Sequence, residues 1–189
     1  ITRIGKAVER SREDPSVESI LNADSLYRAA ELVGEAMQGL QDQYRNSIQA
    51  GGAGADATVV VAGQRRGGRH RLFMVYSAGN FIEAADDTPY FQLGEHKYGK
   101  PILDRAITFT TDLVQSTKLA LISMDSTMRS NLGVGMPIDL VTVKRDAIAH
   151  DILHRIEPGE PYFHDLRERW SAALRAAHRA IPDPPDRKS

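Results

Sequence analysis

The chain has no cysteine, which excludes disulfides, thiolate metal sites and cysteine nucleophiles within these residues. It also lacks any apolar run of the eighteen or so residues that a membrane-crossing helix needs. The opening ITRIGKAVERSRED has no apolar core of the kind a signal peptide carries, so the cytoplasm is the expected compartment. Neither sign of charge dominates: 24 Lys and Arg stand against 25 Asp and Glu, a formal net charge of -1. Without an excess of positive charge, neither nucleic acid nor an anionic membrane is expected as a partner.

What is present is the composition of an ordinary globular protein. With 41% hydrophobic and 26% charged residues over 189 positions, the chain can bury the core of one compact domain, so residues 1–189 are expected to form a single domain. The first residue is Ile, and Ile1, Ile4 and Val8 already follow helical spacing; the expectation is a domain incomplete at its N-terminus.

Asp24 or Ser25 is placed to cap a helix over about 24–48, in which Leu26, Ala29, Ala30, Val33, Ala36, Met37, Leu40 and Tyr44 make one apolar stripe. The glycine-rich AGGAGADA, residues 50–57, ends it and leads into a β-branched strand, Thr58 to Val61. A second strand, Arg71 to Tyr76, follows a turn in which Gly67 and Gly68 are expected to supply positive φ. Phe81 to Ala84 reads as a third strand, and Tyr90 to Leu93 as an extension of the sheet.

A short helix is predicted over 98–107 and a longer one from Thr111 to about Asn131, with Leu113, Val114, Thr117, Leu121, Met124 and Met128 as its buried stripe. IDLVTV, after Pro137, reads as an inner strand buried on both faces. Beyond Pro161 a last helix carries Phe163, Leu166, Trp170, Leu174, Ala177 and Ile181 along one side, and residues 182–189 are expected to be a flexible tail. Strands and helices are segregated instead of alternating, so an α+β class with sheets packed face to face and helices outside is expected.

Two stretches carry more than local pattern. RLFMVYSAGNFIEAADDTPYFQLGEHKYGKPILD, Arg71 to Asp104, and DSTMRSNLGVGMPIDL, Asp125 to Leu140, resemble the bacterial proteasome-like family called Anbu, and stand in that family's order. The resemblance extends over nearly the whole chain. It implies the four-layer αββα sandwich of N-terminal-nucleophile hydrolases. It also implies a peptidase that attacks amide bonds with its own N-terminal Thr or Ser, assembled with copies of itself into a ring or helical turn and acting on peptide or protein substrates. Ile1 offers no nucleophilic side chain, so the nucleophile and its Asp and Lys partners would lie outside this chain, and the chain alone should be inactive.

The segment KLALISMDSTMRSN, Lys118 to Asn131, is similar without a gap to the HslV-type relative of the proteasome, where it abuts the nucleophile. The resemblance therefore makes Ser130 a supporting residue near the terminal amine, with Thr127 standing where proteasomes have an Asp. It also makes the main-chain carbonyls of Met124, Thr127 and Ser130 candidates for holding a structural cation, with no cofactor otherwise required and no side-chain metal site expected. Glu95, His96 and Lys97 fall in the loop where proteasomes place a Ser next to the active site. As plain chemistry, Ser126, Thr127 and Ser130 are also hydroxyl residues suited to bonding free carbonyls at a helix end, and Glu95 is suited to a helix-entry loop.

Three other features carry less. His150 and His154 in HDILH have zinc-pair spacing for a helix, but lack the intervening Glu and a third ligand, so a solvated linker is expected. RRGGRHR, Arg65 to Arg71, is basic without interleaved aromatics and reads as a hairpin tip. PYFHDLRERW combines large rings with arginines, as interfaces do, though packing onto its own domain is the simpler expectation. A non-catalytic scaffold subunit and an amidase on the same fold stand beside the peptidase reading.

Overall fold

The computed structural model describes residues 1–50, 56–147 and 152–185. Most of the glycine-rich segment, His150 and the last four residues of the expected tail lie outside the described residues. The chain mixes helices and antiparallel sheets, as an α+β protein does. Among the described residues no helix is long and apolar enough to cross a membrane. Contacts gather in two compact units: residues 1–93 with 144–147, and residues 94–143 with 152–185.

The first unit holds α1 (Thr2–Glu13), α2 (Leu26–Ala50), and the strands β1 (Thr58–Gln64), β2 (His70–Tyr76) and β3 (Phe81–Glu83). The Ser25 hydroxyl accepts the Arg28 N–H at 3.0 Å and caps α2, satisfying one of the donors a helix start leaves open. The strands pair antiparallel in the order β1-β2-β3, with Val61 opposite Phe73 and Phe73 opposite Glu83. Ala30, Val33 and Met37 of α2 pack on Phe73 and Val75 of β2, the outcome of a helical stripe meeting one face of an alternating strand.

The α2 stripe loses contact towards its end, where Leu40 and Tyr44 are exposed. Only Gly67 of the β1–β2 turn adopts positive φ, +74°; Gly68 closes the turn by donating its N–H to the Arg65 carbonyl at 2.8 Å. Residues 90–93 are not a strand.

The second unit holds α3 (Lys100–Ala106), α4 (Leu113–Ser130), β4 (Ile138–Thr142), β5 (Ile152–Ile156) and α5 (Pro161–Ala180). Asp112 caps α4 by accepting the Gln115 N–H at 2.9 Å. Leu121 and Ile122 of α4, Ile138 of β4, Ile156 of β5, and Phe163 and Leu166 of α5 form the core.

β5 occupies the place where a linker is expected. Residues 152–156 pair antiparallel with β4, setting His154 opposite Leu140 and Leu153 opposite Val141. β4 is buried on one face only: Ile138 and Thr142 are inside, while Val141 and Val143 are exposed. The stripe of α5 is likewise half realised, since Phe163 and Leu166 are buried and Leu174 and Ile181 are exposed. At the start of α4, Leu113 and Val114 are exposed too, so the buried stripe begins a turn later than its spacing suggests.

Candidate functional site at the C-terminal end of α4

α4 stops where Asn131 turns extended, at φ -137° and ψ 110°, while its N–H still donates to the Thr127 carbonyl at 2.9 Å. The Asn131 side chain then faces two ways. Its Oδ1 accepts the Gly133 N–H at 2.8 Å, fixing the following turn, and its Nδ2 donates to Glu95 Oε2 at 2.9 Å. Glu95 Oε1 in turn accepts the Lys97 N–H at 2.9 Å. The loop is closed further by the Lys100 N–H on the His96 carbonyl at 3.0 Å. Gly94, at φ +75°, supplies the backbone that lets the chain enter this turn.

These bonds fix the ionisation of Glu95. The Lys97 N–H is the largest influence holding its carboxyl below the usual range, and the Asn131 amide and the nearby Lys97 and His96 charges act in the same direction. Glu95 is half-buried and held as an anion at the end of a helix whose terminal carbonyls already carry negative charge.

Ser130, the last residue of α4, is exposed, and its hydroxyl makes no hydrogen bond among the described residues. Thr127 behaves differently. It is 2% exposed, and its hydroxyl donates back to the Ser123 carbonyl at 2.9 Å. It also forms part of the bed on which Gly99, at the entry to α3, rests. A Cβ at Gly99 would come within 2.8 Å of Thr127 Oγ1 and 2.9 Å of the Ser123 carbonyl, and would overlap Ser123 Oγ. The helix end thus joins Asn131 to Glu95, with the exposed Ser130 preceding Asn131 in the chain, and holds Ser123, Thr127 and Gly99 in its packing.

The three candidate carbonyls do not converge on one ion in this helix. Met124 and Ser130 are six residues apart in a continuous α-helix, about 9 Å along the axis at 1.5 Å per residue. Two oxygens on one cation sit at most about 5 Å apart, given ligand distances of about 2.6 Å or less. The Thr127 carbonyl already accepts the Asn131 N–H.

Sequence reasoning missed Asp125, which shares α4 with these residues and has no exposed surface. Its Oδ1 accepts from Arg167 Nε of α5 at 2.6 Å and its Oδ2 from Arg129 Nε at 3.2 Å. A charge four residues after Leu121 and four before Arg129, on an otherwise apolar face, is the signal that could have revealed it.

The remaining candidates have structural places. His154 Nε2 lies 3.0 Å from Glu160 Oε2, and no group of three metal-ligating side chains exists among the described residues. In the basic cluster, Arg65 donates to the Ala23 carbonyl, and Arg71 forms a two-pronged pair with Glu83 at 2.6 and 2.5 Å. In PYFHDLRERW, Phe163 and Leu166 are core residues, Arg167 reaches Asp125, and Arg169 pairs with Asp165 at 2.6 Å.

No family model matches the chain, and no curated protein does. Solved structures do. Anbu from Hyphomicrobium sp. strain MC1 is 42% identical, with 98% of this chain aligned to 75% of that one at a TM-score of 0.83. Anbu (ancestral beta-subunit) from Yersinia bercovieri is 40% identical, 97% against 76%, at 0.84. The helical assembly of the Anbu complex from Pseudomonas aeruginosa is built of a chain 42% identical, 98% against 76%, at 0.86. The chain thus spans about three quarters of each of these relatives.

Proposed function

Since the chain belongs to the Anbu family of proteasome-like proteins, we propose that it forms the greater part of a self-assembling peptidase subunit whose N-terminal Thr or Ser nucleophile is supplied from outside these 189 residues. The observation that carries the reading is the accessible end of α4. There an exposed serine hydroxyl stands next to an asparagine that holds an ionised carboxylate, a setting suited to a terminal amine.

In such a reaction the nucleophile's oxygen adds to the substrate carbonyl carbon, and its proton passes to the α-amine, whose unperturbed pKa lies near 8. The C–N bond then breaks as that proton moves to the leaving amine. Water adds to the resulting ester and releases the second product, restoring the hydroxyl. The part of this chain is to hold the base in place: Ser130 and Glu95 line its seat, Asp125 anchors α4, which carries Ser130, and Gly99 lets the entry to α3 rest against that helix.

The fold proposed for the complete subunit is the four-layer αββα sandwich, working in the cytoplasm on peptide or protein substrates. A relative that forms a helical assembly supports self-association into a ring or helical turn. The same observation favours a second reading, a scaffold that assembles without cleaving.

A panel of peptides and small amides, incubated with the full-length protein and analysed by product mass, separates these readings. The peptidase reading predicts cleaved peptides, lost when the N-terminal nucleophile is replaced by Ala. Assembled protein that leaves every peptide intact speaks for the scaffold, and cleavage of small amides alone for an amidase.

A further inference from the structure

We infer that the cleft between the β1–β2 turn and the turn at residues 144–147 binds the phosphoryl group of a small molecule, through the guanidinium groups of Arg65 and Arg66. The cleft measures about 470 Å3 and is lined by Gln64, Arg65, Arg66, Asp146 and Ala147. Pockets for small ligands run from about 300 to 1,000 Å3.

The walls of the cleft are braced against each other. Gln64, the last residue of β1, accepts the Asp146 N–H on Oε1 at 2.7 Å. Its Nε2 donates to Asp146 Oδ1 at 2.7 Å and to the Gly68 carbonyl at 2.8 Å. One side-chain amide thus joins two turns that are 82 residues apart in sequence. It holds Asp146 at φ +61°, a left-handed conformation uncommon outside glycine.

The chain does not neutralise the arginines of this cleft. Arg65 and Arg66 lie past the end of β1, where strand alternation no longer sends neighbouring side chains to opposite faces, and both line the cleft. Arg65 is anchored by donating to the Ala23 carbonyl, one bond from a group with five donors. Arg66 is exposed and has no hydrogen bond or ion pair among the described residues. The other arginines of the hairpin are committed: Arg71 is paired with Glu83, and Arg69 lies 3.7 Å from the same carboxylate.

The carboxylate lining the cleft, Asp146, offsets one of the two guanidinium charges. A ligand has to compete with it for both forks. A phosphoryl group, with a charge of about -1.5 to -2 and three acceptor oxygens, does so better than a single carboxylate. No aromatic ring lines the cleft to stack a base, so it selects the phosphoryl group and not a nucleic-acid strand. This inference stands apart from the peptidase reading, and its test requires no cleavage.

The test is isothermal titration calorimetry of the full-length protein at low salt with inorganic pyrophosphate, and with succinate and a single-stranded oligonucleotide as comparators. Saturable pyrophosphate binding is expected, tighter than that of succinate. Arg66→Ala should weaken it about tenfold, the loss of one charge-assisted hydrogen bond, while Arg175→Ala, at an exposed position of α5, should leave it unchanged. Asp146→Asn keeps the oxygen that Gln64 holds but removes the competing charge, so it should tighten binding. No heat with pyrophosphate, or equal losses in the two arginine variants, overturns the inference. Succinate binding as tight as pyrophosphate overturns the phosphoryl assignment, as does oligonucleotide binding without pyrophosphate binding.

Discussion

Asp125 of α4 accepts a hydrogen bond from Arg167 of α5 at 2.6 Å although its carboxylate has no exposed surface. The pair ties together two helices of one core, and Arg167 also lies 5.9 Å from the centre of the Phe163 ring. Removing one partner of a buried ion pair leaves an uncompensated charge or an empty polar pocket, which costs about 3–5 kcal/mol. Both arginines reach solvent, with 39% and 47% of their side chains exposed, so Asp125→Ala is expected at the low end, about 3 kcal/mol. Arg167→Ala leaves Arg129 in place and should cost less, about 1–2 kcal/mol. Denaturant unfolding of the two single variants and the double variant measures this, with the double well short of the sum.

Gly99→Ala should be destabilising out of proportion to one methyl group. The new Cβ meets backbone at the Ser123 carbonyl as well as two hydroxyls, so α3 must move off α4, at about 1–3 kcal/mol. Adding Ser123→Ala removes one overlap and leaves the Thr127 hydroxyl and the carbonyl, so only partial recovery of the melting temperature is expected.

Stability should carry an acid-sensitive contribution from Glu83. The Arg71 guanidinium, through its paired hydrogen bonds and charge, holds the Glu83 carboxyl below its ordinary value of 4.5. A carboxyl depressed in the folded state contributes stability that is fully present above its unfolded pKa and lost as pH falls through the folded one. Glu83→Gln should therefore be less stable than wild type near neutrality, by ~1 kcal/mol for a partly exposed pair. The difference should close as the pH falls below 4.5. Urea midpoints for both proteins across that range provide the comparison.

Long stripes were the legible part of this fold. α2 and most of α4 follow from apolar residues recurring every three or four positions, and the caps Ser25 and Asp112 were within a residue of the expected starts. β5 was not legible, because ILHRI is short and shows its strand character only opposite β4. The alternation of β4 suggests burial on both faces, but only one face meets the core and Val141 and Val143 stay exposed.

At the candidate site, the family motif marks Ser130 and the Glu95 loop as candidates, while the contacts around them are long-range. Glu95 and Asn131 are 36 residues apart, and Asp125 and Arg167 are 42 apart. No local pattern announces either pair. Thr127 illustrates the converse: the motif marked it, yet helical geometry turns its hydroxyl onto the Ser123 carbonyl, a local bond that Thr readily makes within a helix.

The most direct measurement is intact mass and N-terminal sequencing of the full-length protein, with and without a peptide epoxyketone. The account predicts one adduct per chain, located on an N-terminal Thr or Ser. An N-terminus without a hydroxyl nucleophile, and no adduct at any inhibitor concentration, would contradict it.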